Sequence, residues 1–409
     1  MKKLFIISLK FPLINTINIL LNVLKKCEAD IILVDNGTDI KKIATNLSDL
    51  KVFNQVFLVN TENIYSFKDF LKGNARFSDI IKNEKLNSER LIWRNVDFNK
   101  YISSYIENTC HINMDDYDSV YVRIADKFTL ECLDWLNKNK RISEINIIEE
   151  GVNSYCNSIQ TMAFVNRYPN LKIVLWLYNK ELLMFENERM SIRVIPKIKF
   201  NDYCLKNILN SIFEFQEAKK NYDNSIVYFE QVSEPMPSYL RNINKFKQLL
   251  LSNAYKKHLR EHHLYEEKCK VIDLIEDYIK RFPQINFFIK LHPRTIYGMP
   301  KKYKMYIFED NSKTNIPWEL YYLNSSFRNS MWLTTASGAV TNALYCFDNS
   351  TSLKIGLTYK FDKEYKEYLN KNLDSFYLKL KKSYDNIEIY EKHFDLNEDI
   401  LRFAERTNN

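Results

Sequence analysis

The sequence predicts an α/β protein made of two units, each a mainly parallel sheet covered by helices, facing one another across a cleft. Short runs rich in β-branched and aromatic residues alternate with longer amphipathic stretches, the pattern of parallel strands joined by crossover helices. That pattern restarts at SIVYFEQV, residues 225–232. The chain of 409 residues also exceeds what one apolar core usually supports, so two domains of roughly 150–200 residues are expected. With 45% hydrophobic and 14% aromatic residues there is material for both cores.

In the first unit the expected strands are Lys3–Ser8, Asp30–Val34, Lys51–Leu58, Ser119–Ile124 and Glu144–Ile148, with helices over Leu13–Lys25, Ile40–Leu47 and Thr129–Asn137 between them. In the second, strands are expected at Ser225–Val232, Ile285–Leu291, Lys304–Phe308, Met331–Thr335 and Ser352–Leu357, separated by helices near 264–281, 317–324 and 338–346. The division that follows is residues 1–220, residues 221–385, and a charged helical tail over 386–409 long enough to pack back toward the first unit. Ligands of such folds sit at the carboxyl ends of the strands.

Composition narrows the function. A formal charge of +8 from 59 basic and 51 acidic residues is a mild, interspersed excess. It suits an anionic ligand or membrane face without requiring nucleic acid. The seven cysteines, Cys27, Cys110, Cys132, Cys156, Cys204, Cys269 and Cys346, are scattered and include no CxxC, as expected of reduced thiols in a cytosolic protein. The start, MKKLFIISLKFPLINTINILLNVLKK, has a basic opening and an apolar run. Lys10, Pro12, Asn15, Asn18 and Asn22 interrupt it, so it reads as strand, turn and helix rather than a leader. No later stretch reaches the 18 or more apolar residues that a membrane span needs. Only six glycines occur, none in GxGxxG or GxxxxGK[ST], which removes both the dinucleotide fingerprint and the P-loop.

Four short stretches carry chemistry. In INIIEEGVNSY (145–155), an apolar strand ends at Ile148, and Glu149 and Glu150 stand at its tip before Gly151. Neighbouring side chains on extended backbone point opposite ways, so one acid can face the cleft while the other faces away. A carboxylate so placed can act as general base toward a hydroxyl, although a solvated strand end is the plain alternative. In INFFIKLHPR (285–294), Pro293 stops the strand at His292, and Lys290 and Arg294 flank it, a cationic setting suited to phosphate. In NIPWELYYL (315–323), Pro317 and Glu319 mark a helix start, where a carboxylate can accept hydrogen bonds from ribose or a base. In MWLTTASGAVTNAL (331–344), a strand ends in Thr334, Thr335, Ala336 and Ser337, and Gly338 opens a helix whose free N–H groups favour an anion.

In order and spacing these residues resemble the bacterial sialyltransferases of the two-Rossmann (GT-B) type, which share an acidic D/E-D/E-G motif, an HP motif and downstream serine motifs. The nearest group is the lipooligosaccharide sialyltransferases of glycosyltransferase family 52, with the polysialyltransferases close behind. Glu149-Glu150-Gly151 matches the first motif and His292-Pro293 the second, while Pro317-x-Glu319 and Ser337 fall where nucleotide contacts are expected. Ala336-Ser337 stands where those families often carry two serines, leaving Thr335 or backbone to supply the second donor. The resemblance covers about residues 145–345.

The resemblance implies a metal-independent, inverting transfer of sialic acid from CMP-sialic acid to a hydroxyl of an oligosaccharide or glycolipid acceptor, in lipooligosaccharide or capsule assembly. Glu149 is then the base, with Glu150 and Gly151 beside it. His292 meets the leaving phosphate, helped by Lys290, Arg294, Ser337 and Gly338, and Glu319 reads ribose or cytosine. CMP-Kdo or another CMP-nonulosonate fits the same motifs, and a non-catalytic basic α/β binding protein is the alternative of another class. The implied setting is the cytoplasm, with a peripheral place on the anionic inner face of the membrane and a homodimer both compatible. The basic segment Lys256, Lys257, His258, Arg260, His262 and His263 suits an anionic acceptor or that membrane face, and equally a solvated helix face. Asp115-Asp116-Tyr117-Asp118 reads as a turn and not as a metal motif.

Overall fold

The computed structural model describes residues 2–25, 27–35, 40–60, 112, 116–124, 127–138, 142–216, 221–231, 252–292, 299–308, 316–348, 353–361 and 371–408. Among them the first sheet comprises β1 (Lys2–Ile7), β2 (Ala29–Asp35), β3 (Gln55–Asn60), β4 (Tyr117–Val122), β5 (Glu144–Ile148), β6 (Lys172–Leu177) and β7 (Met190–Val194). Its helices are α1 (Lys10–Asn22), α2 (Lys41–Leu50), α3 (Lys127–Lys138), α4 (Val152–Cys156), α5 (Ser158–Arg167) and α6 (Tyr203–Phe213). The strands are parallel in the order β3-β2-β1-β4-β5-β6-β7. A parallel sheet is covered on both faces, which is why β1 and β2 each contain an unbroken apolar run, Leu4 to Ile7 and Ile31 to Val34, that is wholly buried. The order reverses between β1 and β4, and that break leaves a crevice at their carboxyl ends.

The second sheet holds β8 (Ser225–Phe229), β9 (Asn286–Lys290), β10 (Ser330–Thr334), β11 (Leu353–Leu357) and β12 (Ile387–Ile389). Its helices are α7 (Ser252–Arg281), α8 (Trp318–Asn324), α9 (Gly338–Tyr345), α10 (Lys371–Ser383) and α11 (His393–Asn408). These strands are also parallel, in the order β12-β11-β10-β8-β9, and here the reversal lies between β8 and β10. Gly356 in β11 shows how tight this core is. A Cβ there would lie 2.5 Å from Leu333 Cδ2 and 2.6 Å from Tyr390 Cε2. Gly356→Ala is therefore expected to cost ~1–3 kcal/mol by overpacking, read as a lower thermal midpoint.

The α/β class and the two parallel sheets stand, with several differences in detail. β6, β7 and β12 were absent from the expected strands. KIVLWL of β6 is a solid apolar run, and periodicity alone does not separate such a run from a buried helical turn. β7, MSIRV, does alternate apolar and polar residues as a strand should, but the run is only five residues long and its Ile192 and Val194 lie exposed at the sheet edge. The strand expected at Lys304–Phe308 is a 3₁₀ segment, Lys301–Tyr306, followed by one bridge from Ile307 to Ile289. Tyr303 and Tyr306 are spaced for the three-residue turn, and Pro300 leads into it.

The tail divides differently from the expected 386–409 boundary. β12 completes the second sheet, and α11 packs on that sheet's own apolar face through Leu396, Ile400, Phe403 and Ala404, beside Val271 and Ile275 of α7. The segment that crosses to the first unit is α10. Asn372 Nδ2 donates to the Cys156 carbonyl (3.0 Å), Lys379 Nζ donates to the Leu183 carbonyl (3.3 Å), and Phe376 packs on Tyr155. The connector after β7 adds to the same junction, with Ile198 N–H donating to the Cys346 carbonyl at 2.8 Å.

Candidate active site

At the tip of β5 the chain makes one more ladder bond, Glu149 N–H to the Trp176 carbonyl (3.1 Å), and then turns. Gly151 makes the turn with φ 104° and ψ −152°, a conformation an L side chain rarely adopts. The turn sends the two acids in different directions. Glu149 is wholly buried, and its Oε2 accepts from the Tyr155 hydroxyl (2.6 Å) and the Tyr178 N–H (2.8 Å). Its Oε1 is buried with no hydrogen-bond partner. Burial pushes this carboxyl up to about 8, against the smaller opposing pull of those two bonds. Glu150 turns to Arg123 at the tip of β4 and is ion-paired with it, and Arg123 Nη1 also donates to Ser8 Oγ (3.3 Å) at the tip of β1. Ser8, Arg123 and Glu150 thus occupy the crevice where the order of the first sheet reverses. Ser8 and Arg123 were not among the sequence candidates, and the only hint was that each ends an apolar run.

The second sheet presents its own strand tips. Thr334 Oγ1 donates to the Phe229 carbonyl (3.0 Å) and accepts from the Ser337 N–H (3.0 Å), which folds the turn after β10. Thr335 is buried, its hydroxyl 3.5 Å from that of Tyr228. Ser337 is the N-cap residue of α9, but its hydroxyl makes no capping bond. Pro317 caps α8, and Glu319 in the first turn is buried and accepts from Asn342 Nδ2 at 3.1 Å. Desolvation raises the Glu319 carboxyl. At the end of β9, burial lowers Lys290 to about 8, with the charge of Glu319 acting against the shift. His292 follows, its backbone N–H donating to Glu230 Oε2 (3.2 Å) at the tip of β8. Pro293 and Arg294 lie outside the described residues, as do the side chains of Lys256, Lys257, His258 and Arg260.

The two halves meet between α4 and α9. A Cβ on Gly151 would sit 3.6 Å from Asn342 Oδ1, and one on Gly338 would sit 3.5 Å from Val152 Cγ2. Across this seam the Tyr155 and Tyr345 rings pack edge to face at 5.3 Å, and the Tyr345 hydroxyl donates to Asn342 Oδ1 (2.7 Å). Buried groups therefore run from Glu149 through Tyr155, Tyr345, Asn342 and Glu319 toward Lys290. The structure brings Glu149, Gly151, Gly338 and Glu319 to one seam, with Lys290 near enough to Glu319 to feel its charge. It holds His292 at the neighbouring strand tip, with Thr335 on its own sheet, and it turns Glu150 away. As the halves lie here, Glu149 is sealed from solvent, so a substrate reaches it only if the seam parts.

Among the described residues no group of three or more His, Cys, Asp or Glu converges as a metal site, and no helix is long and apolar enough to cross a membrane. No protein-family profile matches the chain, and no curated protein matches it. Solved structures similar to it include Arabidopsis thaliana UGT89C1 complexed with UDP, at a TM-score of 0.40 and 11% identity over 91% of this chain and 83% of that one. Another is the N-terminal domain of Candida albicans trehalose-6-phosphate phosphatase, at 0.38 and 12% over 98% and 99%.

Proposed function

We propose that the chain is an inverting glycosyltransferase of GT-B type that takes an acidic sugar from its CMP ester, sialic acid or a related nonulosonate, to a glycan hydroxyl. One observation carries this reading: the acidic turn of the first sheet and the TASG turn of the second pack against each other at the carboxyl ends of two parallel sheets. In the reaction, Glu149 takes the proton of the acceptor hydroxyl as its oxygen bonds to the anomeric carbon. The bond from that carbon to the CMP phosphate oxygen breaks, and CMP leaves with the electron pair toward His292, Lys290 and the start of α9. Glu319, bonded to Asn342 of that helix, takes the ribose once the seam parts. No step calls for a metal. Such a positioned base typically contributes about 10²–10⁴-fold.

A base raised to about 8 must lose its proton before it can act, so kcat/KM is expected to climb with pH toward about 8 and then level. A profile already flat from pH 6 would exclude Glu149 as base. Glu150 is the second reading, favoured by its place in the crevice beside Arg123. Glu150→Gln would then be the inactive variant, and Glu149→Gln would retain turnover. The direct test is CMP release from CMP-sialic acid and CMP-Kdo with oligosaccharide acceptors. Release from one donor, lost in His292→Ala, supports the reading. No release and no CMP binding reject it.

A further inference from the structure

Glu230 and Lys268 form a buried ion pair that no step above uses. Their side chains are 0% and 2% exposed, and Lys268 Nζ lies 2.6 Å from Glu230 Oε1. Glu230 follows the last residue of β8, where the order of the second sheet reverses, and Lys268 comes from the middle of α7. The other carboxylate oxygen, Oε2, accepts the backbone N–H of His292 at 3.2 Å. The backbone of Glu230 is tied to the same place, its N–H donating to the Lys290 carbonyl at 2.9 Å. Lys268 also lies over the Tyr265 ring, 4.7 Å from its centroid, which keeps the ammonium against α7.

Replacing a buried ion pair by apolar residues of similar volume is often neutral or stabilising, so bulk stability alone does not account for this one. We infer that Glu230, held by Lys268, is a positioning residue that fixes the His292 backbone just beyond the end of β9 and so aims the imidazole at the leaving phosphate. β9 stops at Lys290, and beyond it the sheet ladder no longer fixes the chain. The carboxylate supplies the missing acceptor at the residue whose placement decides phosphate contact. The inference deepens the proposed function and rests on it for the identity of the ligand.

Two double variants separate positioning from bulk stability. Glu230→Gln with Lys268→Met removes both charges and keeps a carbonyl acceptor for the His292 N–H. Glu230→Leu with Lys268→Met removes the acceptor as well. CMP affinity by calorimetry is expected to fall by about 3- to 10-fold from the Gln/Met to the Leu/Met protein, the worth of one hydrogen bond between neutral groups. The His292 amide is expected to exchange faster with solvent in the Leu/Met protein, at similar melting temperatures. Equal CMP affinity and equal His292 protection in the two doubles would overturn the inference. If wild-type protein fails to bind CMP, the donor reading falls, and the exchange rate of the His292 amide still decides whether Glu230 holds that backbone.

Discussion

Glu149→Gln is expected to abolish transfer and at the same time make the protein more stable at pH 8. The carboxyl titrates at about 8 in the folded chain, against roughly 4.3 in an unfolded one. Between those values the folded state holds more protons than the unfolded state, so stability falls as pH rises. The penalty is absent below about pH 4 and complete above about pH 8. Glutamine keeps an acceptor for Tyr155 and Tyr178 and carries no charge, so it escapes the penalty. Its amide would take the place of the unpartnered Oε1 and forgo hydrogen bonds of its own, which offsets part of the gain. A net increase on the order of 1–3 kcal/mol at pH 8 is expected, a few degrees in melting temperature. Scans of wild type and variant at pH 5 and pH 8 check the sign. The advantage should be larger at pH 8, and a variant that melts below wild type there would contradict the buried-acid account. Gain of stability with loss of turnover is the pattern of a site that keeps an unfavourable group for its chemistry.

Removing one partner of the buried pair should have the opposite sign. Lys268→Met leaves Glu230 charged, buried and deprived of its 2.6 Å partner, and losses of this kind run to ~3–5 kcal/mol. The comparison is Lys302→Met. Lys302 pairs with Asp273 at 2.5 Å, but the two side chains are 56% and 48% exposed, so the loss there should stay within ~1 kcal/mol. Urea titrations of both variants decide the matter. If they lose equal stability, the buried pair is no more than another surface bridge in its energetics.

The sheets were legible where apolar runs stop abruptly at polar residues. β5 has the expected bounds, and the tips at Glu149, His292 and Thr335 lie at carboxyl ends of strands, because a parallel sheet forces apolar residues inside and releases polar ones at its edge. β7 was missed although MSIRV alternates apolar and polar residues, because so short an alternation has no solid apolar run to stop abruptly. Glu230 was missed although it ends an apolar run just as Glu149 does; reading the strand on to Val232 placed the acid mid-strand. Its significance lies in Lys268, 38 residues away, as that of Arg123 lies in Ser8, 115 residues away. Pairings of that span are set by topology, which local pattern does not encode. The sealing of Glu149 was equally hidden, because it depends on Tyr155, Tyr178 and Tyr345 arriving from both halves.

The route of α10 makes the halves mutually dependent. The chain leaves the second sheet after β11, docks α10 on α4 of the first unit, and only then returns to lay down β12 and α11. Severing the polypeptide near residue 220 would not yield two self-sufficient pieces: Tyr155 and its neighbours would lose the cover of Phe376. The molecule should consequently denature in one step, and any loosening that admits a substrate must stretch this clasp without releasing it.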